Sequence, residues 1–120
     1  MSKTLLVVDD DPAIRAVLGE ALESEGYAVA LAADGLEAIH QMNGTCPALI
    51  LLDIMMPRMD GFAFAEELER RGLRSAIPIL VLSAGGRARS AAEQLGAEGY
   101  VAKPFQLAQL LDEVSRLAAA

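Results

Sequence analysis

Leu49-Ile50-Leu51-Leu52, closed by Asp53, is the most apolar stretch of the chain and decides how the rest is read. Consecutive apolar residues without polar alternation describe a strand covered on both faces, the habit of a parallel sheet between helical layers. Similar runs lie on either side, Leu5-Leu6-Val7-Val8 upstream and Ile79-Leu80-Val81-Leu82 downstream. Residues 27–32 and 99–102 read as two further strands. Between the runs the period changes. Ile14, Val17, Leu18, Ala21 and Leu22 form one helical stripe, with Asp11 as N-cap, Pro12 at the first helical position and Gly26 past the end. Leu36, Ile39 and Met42 mark a short helix closed by Asn43-Gly44, and residues 61–71 a third, after the turn-rich segment from Met56 to Gly61. Residues 87–95 form a fourth. Leu107, Leu110, Leu111, Val114 and Leu117 share one face of a fifth. Strands that alternate with helices in this way specify an α/β, doubly wound architecture around a parallel sheet.

The chain has 120 residues, of which 53% are hydrophobic and 22% charged, the size and composition of a single domain spanning residues 1–120. Seventeen acidic against ten basic residues leave a formal charge of −7, which argues against a basic nucleic-acid face or attachment to anionic lipid. No run approaches the roughly 20 apolar residues of a membrane span, and Met1-Ser2-Lys3-Thr4 leads directly into a strand, so no leader is expected. A cytoplasmic location is expected. The single cysteine, Cys46, cannot form an internal disulfide and is expected to be a small buried residue.

In a doubly wound sheet the site lies beyond the carboxyl ends of the strands. The first strand is followed there by Asp9, Asp10 and Asp11, the third by Asp53, the fourth by Ser83 and the fifth by Lys103-Pro104. Taken singly, each has a plain structural explanation: Asp caps helices, Ser begins turns, and Lys is solvated. Together they pose an electrostatic problem. Two carboxylates about 4 Å apart repel by roughly 1 kcal/mol in water and by about 4 kcal/mol at an effective dielectric of 20. One lysine cannot balance Asp9, Asp10 and Asp53, so the crevice asks for a cation or for raised carboxyl pKa values. An all-oxygen donor set with room for water suits Mg²⁺. A carboxylate beside a divalent ion, an ammonium and a hydroxyl meets the demands of phosphoryl transfer onto an aspartate, with Asp53 placed to attack.

Val7-Val8-Asp9-Asp10-Asp11-Pro12, Leu51-Leu52-Asp53-Ile54-Met55-Met56-Pro57 with Met59-Asp60-Gly61, Leu82-Ser83-Ala84 and Lys103-Pro104-Phe105 together closely resemble the receiver domain of two-component response regulators. The resemblance covers essentially the whole chain. It implies a flavodoxin-like fold with five parallel strands in the order 2-1-3-4-5 and five helices. It also implies a signalling phospho-acceptor rather than an enzyme, with self-phosphorylation and autodephosphorylation chemistry on Asp53. The phosphoryl group would come from a sensor histidine kinase or a histidine phosphotransfer protein.

By the same resemblance Asp9, Asp10, Asp53 and the backbone carbonyl of Met55 hold Mg²⁺, and Lys103 pairs first with the acceptor and then with a phosphoryl oxygen. The Lys103–Pro104 bond is expected to be cis. Ser83 and Tyr100 match the switch positions: Ser83 turns in to donate to the phosphoryl group, Tyr100 fills the vacated space, and the surface of the fourth helix, fifth strand and fifth helix changes its affinity for a downstream protein, an output domain or a second copy of the chain. Met55 and Gly85 flank the expected route of attacking water, Met55 restricting and Gly85 easing access.

Two other classes compete. A binding module with an inert site would be expected to have lost the acidic, hydroxyl and lysine set that is intact here. A haloacid-dehalogenase-like phosphatase would want a second aspartate two residues after its nucleophile, where Met55 stands, and a cap domain to enclose its substrate. His40, the only histidine, lies in the second helical segment away from the strand ends and is read as a surface or packing residue. Arg70, Arg71 and Arg74 are read as a solvated face favourable to the end of the third helix.

Overall fold

A computed structural model describes residues 3–44, 46–84 and 86–118. Five parallel strands, β1 (Thr4–Val8), β2 (Ala28–Ala32), β3 (Leu49–Asp53), β4 (Ile79–Ala84) and β5 (Gly99–Lys103), form one sheet in the order β2-β1-β3-β4-β5. They alternate with α1 (Pro12–Ser24), α2 (Gly35–Gln41), α3 (Gly61–Arg70), α4 (Arg87–Leu95) and α5 (Leu107–Ala118), and a 3-10 turn (Arg74–Ala76) leads into β4. Both the expected strand order and the helix count are observed.

The period of two along each strand divides the core into two layers. Leu6, Val8, Ile50, Leu52, Ile79 and Val81 face Ala38 of α2, Phe64 and Leu68 of α3 and Ala91 and Ala92 of α4. Leu5, Val7, Leu49, Leu51, Leu80, Leu82 and Val101 face Leu18 and Leu22 of α1 and Leu110, Val114 and Leu117 of α5. This is why the central runs carry no polar alternation: their odd and even residues are both buried. Register then aligns the strand ends. Val8 sits opposite Leu52, Asp53 opposite Leu82 and Ser83 opposite Ala102, so the residues that follow β1, β3, β4 and β5 converge on one edge.

Helix starts follow the sequence. Asp11 accepts from the amides of Ala13 and Ile14 and caps α1, with Pro12 in the first turn. Asp34 caps α2 through Glu37, and Asp60 caps α3 through Ala63. Gly26, just past α1, has φ of +96°, a conformation that a side chain would oppose. The second strand starts at Ala28 rather than Tyr27, because the Tyr27 amide is bonded to the Leu22 carbonyl and still belongs to the end of α1.

Two sequence expectations are corrected. Cys46 is exposed: it lies on the loop before Pro47, ahead of the point where β3 enters the core. Arg74 does not belong to a solvated face. Its guanidinium turns inward and donates to the carbonyls of Ile77 and Gly96, and it lies 3.5 Å from the Glu98 carboxylate, tying the approach to β4 onto the end of α4. Arg70 and Arg71 do stay at the surface, where both pair with Glu67.

Candidate functional site

Asp9 follows β1 and is fully buried, and its backbone is fixed on both sides. Its amide donates to the Ala32 carbonyl, and its own carbonyl accepts from Arg15 at 2.7 Å. Its side chain is held as well. Oδ1 accepts the Asp11 amide at 2.9 Å, which leaves Oδ2 turned toward Lys103 Nζ at 2.7 Å. Asp10, next in the chain, is exposed. Asp53 closes β3 and is buried, and one carboxylate oxygen from each of Asp9, Asp10 and Asp53 lies within 4.8 Å of the others.

Lys103 Nζ is 3.6 Å from Asp53 Oδ2 and 2.7 Å from Asp9 Oδ2, so in this state the lysine is bonded to Asp9 and lies farther from Asp53. The expected direct pairing with Asp53 is thus shared, because the fixed Asp9 carboxylate presents the nearer oxygen. The Lys103–Pro104 bond is cis, as the resemblance implied.

The charges act on one another. Burial raises the Asp53 pKa first, the Asp9 carboxylate adds to that, Lys103 opposes it and Asp10 adds again, and the result is about 6 in place of 3.8. Burial pulls Lys103 down, but its hydrogen bond to Asp9 and the charges of Asp9 and Asp53 outweigh this and hold the ammonium above its ordinary value. Three carboxyl groups served by one lysine therefore coexist at a cost, and the oxygen-only donor set is the chemistry that a hard divalent cation satisfies.

Beside these groups opens a cavity of about 350 Å³ lined by Asp53, Met55, Ser83, Ala84, Arg87 and Lys103. A water molecule's share of volume is about 30 Å³, so a phosphoryl group fits there with room for donors around it. Ser83 is buried at the end of β4 and faces this space, and Met55 stands at its mouth with 62% of its surface exposed. Tyr100 is on β5, away from the carboxylates, and is 45% exposed. It borders a separate groove of about 520 Å³ between α4, β5 and α5. Gly85 lies outside the described residues. His40 is an exposed residue of α2 and touches none of this.

The sequence reading passed over a third buried acid, Asp34. It caps α2 and is gripped by Arg58 of the β3–α3 loop, whose Nε donates to Asp34 Oδ2 at 2.6 Å. Burial raises the Asp34 pKa, yet the Glu37 amide, Arg58 and the Leu36 amide together more than offset this and leave the carboxyl below its ordinary value. A signal was present. Asp34 with Glu37 three residues on is a capping-box pattern, although Glu37 accepts the amide of Ala33, one residue before the cap, rather than that of Asp34.

Residues 5–115 match the response regulator receiver domain family. The chain belongs to that family. Phosphorylation and Mg²⁺ binding at an acidic pocket are general features of these domains. The response regulator MprA of Mycobacterium tuberculosis is 43% identical over 119 residues, 98% of this chain and 51% of the relative. The chain thus spans about half the length of the curated relatives it matches. Among solved structures, a chain from Chloroflexus aurantiacus J-10-fl superposes with a TM-score of 0.91 at 34% identity over the whole of both chains. The chemotaxis response regulator CheY4 of Vibrio cholerae gives 0.88 at 31% identity, covering 98% of this receiver domain and 99% of CheY4. The chain is a signalling domain of two-component systems, and among its described residues no helix is long and apolar enough to cross a membrane.

Proposed function

We propose that Asp53 is the phospho-acceptor of this receiver domain, taking a phosphoryl group from a phosphohistidine of a sensor kinase or a histidine phosphotransfer protein. The observation that carries the reading is the meeting of Asp9, Asp10 and Asp53 within 4.8 Å, beside Lys103 and a cavity that also holds Ser83. In the transfer, an Asp53 carboxylate oxygen bonds to phosphorus as the P–N bond to histidine breaks and the nitrogen keeps the electron pair. Asp9, Asp10, Asp53 and the Met55 carbonyl are the groups that would hold Mg²⁺. Bound there, the ion supplies neutralisation of phosphoryl-oxygen charge.

The remaining steps belong to the chain's own side chains. Lys103 leaves its bond with Asp9 for a phosphoryl oxygen, and the Ser83 hydroxyl donates to another. Met55, at the mouth, restricts the water that would hydrolyse the product. Inward movement of Ser83 leaves space that Tyr100 fills, and this alters the groove between α4, β5 and α5, the surface read here as meeting a downstream protein, an output domain or a second copy. Residues 1–120 act in this reading as one domain working in the cytoplasm.

Incubation with acetyl phosphate and Mg²⁺ followed by intact-mass measurement tests the reading. One added phosphoryl group that is missing in Asp53→Asn supports it; equal labelling of wild type and Asp53→Asn overturns it.

A further inference from the structure

Arginine in this protein is almost always occupied. Arg58, Arg70, Arg71, Arg89 and Arg116 pair with carboxylates, and Arg15 and Arg74 donate to backbone carbonyls. Arg87 alone has no acceptor among the described residues. Nor does helix stability account for its place. It is the first residue of α4, where the partial positive charge of the helix disfavours a cation, and the cap residue Gly86 brings no side chain to offset this. By contrast α1, α2 and α3 each begin at an aspartate. What Arg87 does have is the site: its side chain lines the cavity shared by Asp53, Ser83 and Lys103, and also an adjoining cavity of about 250 Å³ that it borders with Met55 and Ser83.

We propose that Arg87 is a further catalytic residue of the phospho-acceptor site, one that binds the terminal phosphoryl oxygens of an incoming anionic donor and keeps them after transfer. The assignment rests on the reading of Asp53 as acceptor. With acetyl phosphate, an Asp53 oxygen–phosphorus bond forms as the phosphorus–oxygen bond to the acetyl group breaks, acetate leaves with the electron pair, and no proton moves. Negative charge stays spread over three equatorial oxygens throughout. Lys103 and Ser83 offer single donors to these oxygens, whereas a guanidinium offers a planar fork matched to two. Before the donor arrives, Arg87 is an exposed charge near carboxylates and gains little from them. Once a phosphoryl group fills the cavity and displaces water, the same charge acts at shorter range and lower dielectric. The interaction therefore favours the donor-loaded site over the empty one, a binding contribution that lowers KM for the donor and so raises kcat/KM.

The test uses the whole chain, acetyl phosphate and Mg²⁺, with the rate of phosphoryl gain followed by intact mass. Arg87→Ala is expected to slow the reaction about tenfold, chiefly through a higher KM for acetyl phosphate, short of the loss on the order of 100-fold seen for a buried oxyanion donor because Arg87 is exposed. Arg87→Lys is expected to fall between the two. Arg89→Ala, which removes a paired arginine of the same helix, is expected to match wild type. Mg²⁺ affinity, followed by tyrosine fluorescence, must be unchanged or tighter in Arg87→Ala, since the lost group is a cation. Wild-type rate and KM in Arg87→Ala overturn the proposal. So does a fall in Mg²⁺ affinity that tracks the fall in rate, which would mark a disturbed fold. Failure of wild type itself to gain a phosphoryl group overturns the acceptor reading, and the Arg87 assignment with it.

Discussion

Asp53 is a carboxylate kept among carboxylates, and the strain of that arrangement is measurable without any phosphodonor. Its pKa of about 6 in the folded chain exceeds the 3.8 of a free side chain, so the folded state holds a proton that the unfolded state has already released. Below pH 4 both states are protonated and the group contributes nothing. Between pH 4 and 6 folding loses roughly 2–3 kcal/mol from this group, at about 1.4 kcal/mol per unit, and above pH 6 the loss is complete. In chelator-treated protein, denaturant melts are expected to show Asp53→Asn more stable than wild type at pH 7.5 by about that amount, and nearly equal to it at about pH 3.5. Mg²⁺ should close most of that gap at pH 7.5. A ligand present at 100 times its Kd stabilises by about 2.7 kcal/mol, and Asp53→Asn has lost one of the carboxylate charges that would bind the ion. Equal melts for wild type and Asp53→Asn at pH 7.5 would show that the three acids do not strain one another. These residues were legible in the sequence because strand ends in a doubly wound sheet are predictable positions. Arg87, Arg74 and the Asp34–Arg58 pair were not: their meaning lies in what stands opposite them across the fold. Cys46 misled for a related reason, since the tendency of cysteine to be buried says nothing about one that sits on a loop.

Elements carry the site residues, and the β3–α3 loop is the one under most constraint. Arg58 has φ of +62°, a left-handed conformation uncommon for a residue with a side chain. Its guanidinium reaches 24 residues back to Asp34, and the Met59 carbonyl accepts the Gly35 amide at 3.0 Å. The loop that contains Met55 is thereby moored to the start of α2. The close packing explains two glycines: a Cβ on Gly35 would meet Met59 O at 2.8 Å, and one on Gly61 would meet Asp53 O at 2.9 Å. Gly61→Ala is expected to cost about 1–3 kcal/mol through this overpacking and to lower Mg²⁺ affinity, because the crowded atom belongs to Asp53 itself. Unchanged stability and metal binding would refute the coupling. Asp34→Ala is expected to cost about 2 kcal/mol by removing both a helix cap and a buried acceptor. Its pH signature is opposite to that of Asp53. The Asp34 pKa is lowered, so its contribution is complete above the unfolded value near 4 and is lost as pH falls through the folded one. Wild type and Asp34→Ala should therefore converge in acid below pH 4. The helix cores and strands on either side of this loop were readable from apolar period alone. The mooring was not, since only the Asp34–Glu37 spacing announces a cap and nothing local announces its arginine.

At the scale of the whole molecule, the acidic edge and the groove between α4, β5 and α5 are separate places joined by β4 and β5. Ser83 at the end of β4 faces the cavity it shares with Asp53, while Tyr100 on β5 stands 45% exposed at the groove, with Val81 as its partner in register. In the proposed switch a signal crosses this distance as a change in the balance of two arrangements, and only a differential interaction can change that balance. Moving it from about 1:9 to about 9:1 requires roughly 2.6 kcal/mol. One hydrogen bond to a charged acceptor contributes about 1.5–3 kcal/mol, so the Ser83 hydroxyl meeting a phosphoryl oxygen is sufficient in magnitude. The protein offers a simple reporter: it has no tryptophan and two tyrosines, so Tyr27→Phe leaves Tyr100 as the sole tyrosine. In that background, acetyl phosphate with Mg²⁺ is expected to reduce iodide quenching of the Tyr100 fluorescence as the ring moves inward. Adding Ser83→Ala should leave phosphoryl gain detectable by mass yet abolish most of the change in quenching, because the charge arrives without the bond that reads it. Adding Ser83→Thr, which keeps the hydroxyl, should preserve the change. If Tyr100 stays equally accessible in the phosphorylated protein, or if Ser83→Ala shields it as fully as the parent does, the route from site to groove does not run through this serine.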